Sequence, residues 1–114
     1  MKTLMLSLGI GSSTDRNGQF DDGSVRRHAA MKAAFELGLA WHGGQGAIFL
    51  KTEKPVGEAY HHVLRVLDDR DLLLMIELRD SADVRFSGRC FDEESFDEIF
   101  PDASDVPHLN QWAG

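Results

Sequence analysis

Hydrophobic and polar positions alternate over residues 3–10. Leu4, Leu6, Leu8 and Ile10 fall on one side, Met5, Ser7 and Gly9 on the other, and this period of two predicts a strand. Residues 11–23 are rich in Gly, Ser, Asp and Asn and predict a long loop. A helix is expected next, with Ser24 as its N-cap, Ala29, Ala30, Ala33 and Ala34 favouring it, and Gly38 as a left-handed C-terminal cap. Its apolar positions are Val25, Ala29, Met31, Ala33, Phe35 and Leu37. Residues 39–42 read as a short strand and residues 43–46 as a turn. Residues 47–54 alternate again, with Ile48, Leu50 and Thr52 facing one way and Phe49 and Lys51 the other. Pro55 stops that strand and suits a helix entry, after which Val56, Tyr60, Val63, Leu64 and Leu67 recur at helical spacing. Beyond the polar turn Asp68-Asp69-Arg70-Asp71, residues 72–78 are the most apolar run in the chain. Seven residues bounded by charges are too few for a buried helix and predict a strand.

The order is strand, helix, strand, strand, helix, strand. Short right-handed connections then lead to an α+β fold, a ferredoxin-like βαββαβ sandwich whose four-stranded antiparallel sheet carries both helices on one face. This domain is expected over residues 1–88. Residues 89–114 form an acidic C-terminal extension, packed on the domain or mediating association. Val84 and Phe86 alternate with Asp83 and Arg85, which predicts a fifth strand over residues 83–87. Phe91, Phe96, Ile99 and Phe100 mark a short amphipathic helix with Asp92 as its cap, and residues 101–114 read as irregular.

Composition narrows the class. The chain has 114 residues, the size of one domain, and 42 % are hydrophobic, enough for a core without a staple. The single cysteine, Cys90, cannot form an internal disulfide, which suits a reducing, cytoplasmic setting. The apolar start at residues 4–8 breaks at Gly9 and reads as a strand and not a leader, and no apolar stretch reaches the length of a membrane span. The net charge of −7 is not spread evenly. Residues 1–91 hold 12 acids and 12 bases, whereas residues 92–105 hold seven acids and no base. An acidic segment repels phosphate backbones and favours basic protein partners; its plainer role is a solvated face that keeps a small domain soluble.

The pattern from residue 39 to about residue 88 resembles a group of small ferredoxin-like proteins. Ala47-Ile48-Phe49-Leu50, the helical residues 56–67, the acidic turn 68–71 and the run Leu72-Leu73-Leu74-Met75-Ile76-Glu77-Leu78 carry the resemblance. The group includes the small structural partner of the CRISPR adaptation integrase, the VapD-type endoribonucleases and the SinR-like proteins. The resemblance implies, in members that cut nucleic acid, a strand-end aspartate from each subunit holding a divalent metal across the dimer. A homodimer is expected here because an exposed antiparallel sheet face or edge is a liability that association covers, with the strand over residues 83–87 as a natural pairing element. At that position this chain reads Gly9-Ile10-Gly11-Ser12, and Asp15 is the nearest acid after the strand.

Other candidates for chemistry are scattered. Within residues 13–24, Asp15, Asn17, Gly18, Phe20 and Asp21 match positions of a calcium loop, but Ser13 and Ser24 stand where its first and last carboxylates belong. The ordinary reading is a loop of turn formers. Glu58 and His62, four apart on the second predicted helix, share a face and could ligate a metal, but no third ligand is identifiable and the plainer reading is an outward polar face. Cys90 has no CxxC spacing, and no nucleophile–base order is legible. Arg26 and Arg27 are candidate phosphate binders, without the interleaved aromatics of a nucleic-acid surface.

Two functions follow as expectations. The first is a small cytosolic, non-enzymatic interaction module, a homodimer that needs no cofactor. It engages a basic partner through Asp92, Glu93, Phe96, Asp97, Ile99 and Phe100. The alternative is a metal-dependent endoribonuclease or deoxyribonuclease with Asp15, Asp21 and Asp22 as catalytic acids and Asp15, Asn17, Asp21, Glu58 and His62 as candidate metal ligands. A divalent metal and a nucleic-acid substrate belong only to this alternative.

Overall fold

The computed structural model describes residues 2–42, 47–79, 84–87 and 92–105. Its elements run β1 (Lys2–Gly9), β2 (Ser13–Thr14), β3 (Phe20–Asp21), α1 (Ser24–Phe35), β4 (Leu39–His42), β5 (Ala47–Thr52), α2 (Val56–Leu64), β6 (Leu72–Leu78), β7 (Arg85–Phe86), α3 (Glu93–Ile99) and β8 (Ser104–Asp105). The fold is mixed α+β, built on a four-stranded antiparallel sheet in the order β4-β5-β1-β6. Among the described residues no helix is long and apolar enough to cross a membrane.

Alternation does the sorting. Leu4 and Leu6 of β1 pair with Leu50 and Ile48 of β5, and all four are fully buried on one face of the sheet. Ala40 and Leu73 extend that face onto β4 and β6. Ala30, Ala33 and Ala34 of α1 and Ala59 and Val63 of α2 close the core from above. The alanines lack bulk, so α1 lies close to the sheet with little side-chain entropy lost. Thr52, the one buried polar residue of the described core, donates its hydroxyl to the Leu37 carbonyl at 2.8 Å and accepts from the Lys54 N–H at 3.1 Å. Its hydrogen bonds are therefore made inside the protein.

Several expectations change. Ser24 is the first helical residue rather than the cap: Gly23 holds the cap position with φ near 80°, and the Asp22 carboxylate accepts the Ser24 N–H at 2.9 Å. Gly38 does not adopt a left-handed cap, because the helix ends at Glu36. A Cβ on Gly38 would lie 2.2 Å from the Lys51 carbonyl, so glycine there permits a close backbone approach. Val25 and Phe35 point outward, at 79 % and 49 % exposure, because the buried stripe of α1 runs through Ala30, Ala33 and Ala34. The expected fifth strand does not join the sheet. Arg85–Phe86 instead pairs in parallel with Ser104–Asp105, since the C-terminal segment turns back after α3. The stretch 101–114, expected to be irregular, holds the short strand Ser104–Asp105; its part from residue 106 on lies outside the described residues, as do Cys90 and Phe91.

The second face of the sheet is divided. Over β4 and β5 it is covered by α3, whose Phe96 and Ile99 are buried. The Phe96 ring lies 4.8 Å from Trp41 and the Phe100 ring 5.2 Å from Phe49, edge-on. Over β1 and β6 the same face is open: Leu72, Leu74 and Ile76 are 65 %, 47 % and 41 % exposed.

Candidate functional site

The end of β1, where the resemblance places a metal-holding acid, is built instead around an arginine. Gly11 leaves the strand so close to the 68–71 turn that a Cβ would sit 2.5 Å from the Arg70 carbonyl. Its N–H donates to the Asp71 carboxylate at 3.0 Å, and its carbonyl accepts from Arg26. The Asp71 side chain is wholly buried and also takes the Asp68 N–H and the Arg26 Nε, at 3.0 and 2.9 Å. Burial alone would raise the Asp71 pKa; the Arg26 guanidinium and the two backbone donors outweigh it and hold the group at about 2. Arg26 is held above its ordinary value, first by its hydrogen bond to Asp71.

The loop hairpin β2–β3 is fastened to the same cluster. Arg26 Nη1 reaches Asp21 at 2.7 Å. Arg70 grips Asp68 with Nη2 at 2.6 Å, approaches Asp21 at 3.3 Å and donates to the Ser13 hydroxyl. The Asp68 pKa is lowered chiefly by the Arg70 hydrogen bonds, and that of Asp21 by the Gly23 N–H and then by Arg26. A shallow groove of about 580 Å³ lies beside this clamp, lined among others by Ser13, Asp15, Phe20, Val25 and Arg70.

The candidate acids of the loop are therefore turn formers. One Asp15 oxygen accepts the N–H groups of Asn17 and Gln19, both at 2.8 Å, closing a turn in which Gly18 has φ near 79°. Asp21 takes the Gly23 N–H at 2.8 Å as well as Arg26, and Asp22 takes that of Ser24, which lowers its pKa. Phe20, the expected buried residue of a calcium loop, is 65 % exposed. Glu58 pairs with Lys54 at 3.4 Å, while His62 Nε2 lies 3.1 Å from Glu36. The helical spacing of Glu58 and His62 thus does not bring them onto a shared partner. Among the described residues no three His, Cys, Asp or Glu side chains gather where a metal would be held. The candidate phosphate pair is split too: Arg26 lies inside the cluster, and Arg27 is exposed.

Asp92 accepts the Ser95 N–H at 3.4 Å and so caps α3. Phe96, Ile99 and Phe100 face the sheet, and Asp92, Glu93, Glu94, Asp97 and Glu98 are all exposed on the outer side. Phe96 and Ile99 are thereby taken by the chain's own sheet and are not free anchors for another protein. Lys51 Nζ approaches α3 at the Glu98 carbonyl, 3.1 Å, and not at a carboxylate. None of the ion pairs seen among the described residues involves an α3 acid. The aromatic seat for α3 was missed by sequence reasoning. Its signal is Phe49 at a position facing away from the core, in register with Trp41.

Comparison with protein-family models, with curated proteins and with solved structures finds no match to this chain.

Proposed function

We propose that the protein is a non-enzymatic interaction module, a cytoplasmic homodimer that binds a basic protein or peptide through the outer face of α3. One observation carries this reading: four acids stand exposed on a helix whose inner side is seated by aromatic contacts, a fifth, Asp92, caps it, and no cation is paired to them among the described residues. A seated helix loses less conformational freedom on binding than a free acidic tail would, and clustered charge steers an oppositely charged partner. The partner contacts on this reading are Asp92, Glu93, Asp97 and the neighbouring acids, while Phe96, Ile99 and Phe100 position them. The element order and the strand order β4-β5-β1-β6 support a ferredoxin-like βαββαβ assignment. On that assignment the proposed kinship is with the CRISPR small-subunit, VapD and SinR-like group, without its strand-end acid.

Deleting residues 92–114 would uncover Trp41 and Phe49 and confuse lost binding with lost packing. Neutralisation is the cleaner test. A Glu93→Gln/Glu94→Gln/Asp97→Asn/Glu98→Gln variant should keep the circular dichroism of the parent and lose binding to an arginine-rich peptide. Undiminished binding by the variant would overturn the reading.

A further inference from the structure

We infer that β6 is the dimer edge: two copies pair their β6 strands antiparallel about Met75 and join their sheets into one. This rests on the dimer part of the function proposed above and specifies its surface. β6 is an edge strand of seven residues with no proline and a single charge, Glu77. A long apolar edge left open is an aggregation site, which proteins normally cover or interrupt. The strand also exposes an apolar stripe of Leu72, Leu74 and Ile76 on the face that α3 leaves open.

The stripe is self-complementary. A two-fold axis at Met75 sets Leu74 opposite the partner's Ile76 and Leu72 opposite the partner's Leu78. Directly opposed residues of an antiparallel pair lie on one face, so the two stripes merge into a continuous apolar surface. The same register brings Arg79, exposed and in no ion pair among the described residues, level with the partner's acidic 68–71 turn, where Asp69 is exposed. Charge also selects this edge over the other one. The acidic helix α3 packs on β4 and β5, so pairing through β4 would crowd two acidic helices together, whereas pairing through β6 sets them at opposite ends.

Sedimentation equilibrium of the full chain tests the proposal. The parent should sediment at twice the chain mass, and a Leu74→Lys/Ile76→Lys variant with unchanged circular dichroism at the chain mass. A monomeric parent would remove the dimer itself; a variant that still dimerises would remove β6 as its edge and leave the dimer standing. Hydrogen exchange of the unmutated protein guards against a variant that fails to fold. Alternate β6 amides should gain protection as concentration rises, while those of β4 do not. Outward β6 amides no better protected than those of β4 at a concentration where the parent sediments as a dimer would overturn the proposal.

Discussion

Asp71 joins three segments that are distant in sequence: the exit of β1 at Gly11, the start of α1 at Arg26 and its own turn at Asp68. Its folded-state pKa of about 2 lies below the ordinary 3.8, so the folded chain binds this proton less tightly than the unfolded chain does. The stabilisation it provides is complete above about pH 4 and is lost as the pH falls through about 2. Asp21, Asp22 and Asp68 shift in the same direction. An Asp71→Asn variant should therefore unfold at lower urea at pH 7 and show a flatter loss of stability between pH 4 and 2. Equal pH slopes for parent and variant would contradict the assignment. In the core, Leu50→Ala removes a fully buried side chain from the cluster between sheet and helices and should cost about 3 kcal/mol by urea denaturation. None of the Asp71 cluster was legible in the sequence. Arg26 and Asp71 are 45 residues apart, and a pattern of charges does not say which of them meet.

At the scale of elements, periodicity located the four strands of the main sheet and the helices α1 and α2, because each buries one face against a single core, whereas the short β2, β3 and β8 fell in stretches expected to be loop or irregular. Leu4 and Leu6, or Ile48 and Leu50, announce their direction by alternating with more polar neighbours. β6 is where this fails. Leu72-Leu73-Leu74-Met75-Ile76 is apolar at every position, so the sequence does not distinguish buried Leu73 from exposed Leu72 and Leu74. The helix α3 was expected from Phe96 and Ile99, but its seat was not, because Trp41 and Phe49 lie on the side of the sheet away from the core. Phe96→Ala should loosen α3 selectively. Its amides should exchange faster with solvent deuterium, while those of β1 and β5 keep their protection. Uniform loss of protection across the sheet would instead make α3 part of the cooperative core.

For the whole molecule, the division of charge matters more than its sum. A charge-balanced α+β body carries an acidic helix over one edge of its sheet and exposed Leu72, Leu74 and Ile76 on the other. The loop acids Asp15, Asp21 and Asp22 close turns and clamp Arg26, an arrangement that serves the fold of residues 10–23. Purified protein incubated with labelled RNA or DNA and Mg²⁺ or Mn²⁺ is expected to leave the substrate intact. Metal-dependent cleavage that disappears in an Asp15→Ala/Asp21→Ala variant would restore the nuclease alternative. The most direct test of the central claim is calorimetric titration of an arginine-rich peptide into the parent protein and into the variant neutralised at Glu93, Glu94, Asp97 and Glu98, each at low and at high salt. The account expects binding by the parent that weakens steeply with salt, and none by the variant. Equal affinity in the two proteins, or parent binding indifferent to salt, would contradict it.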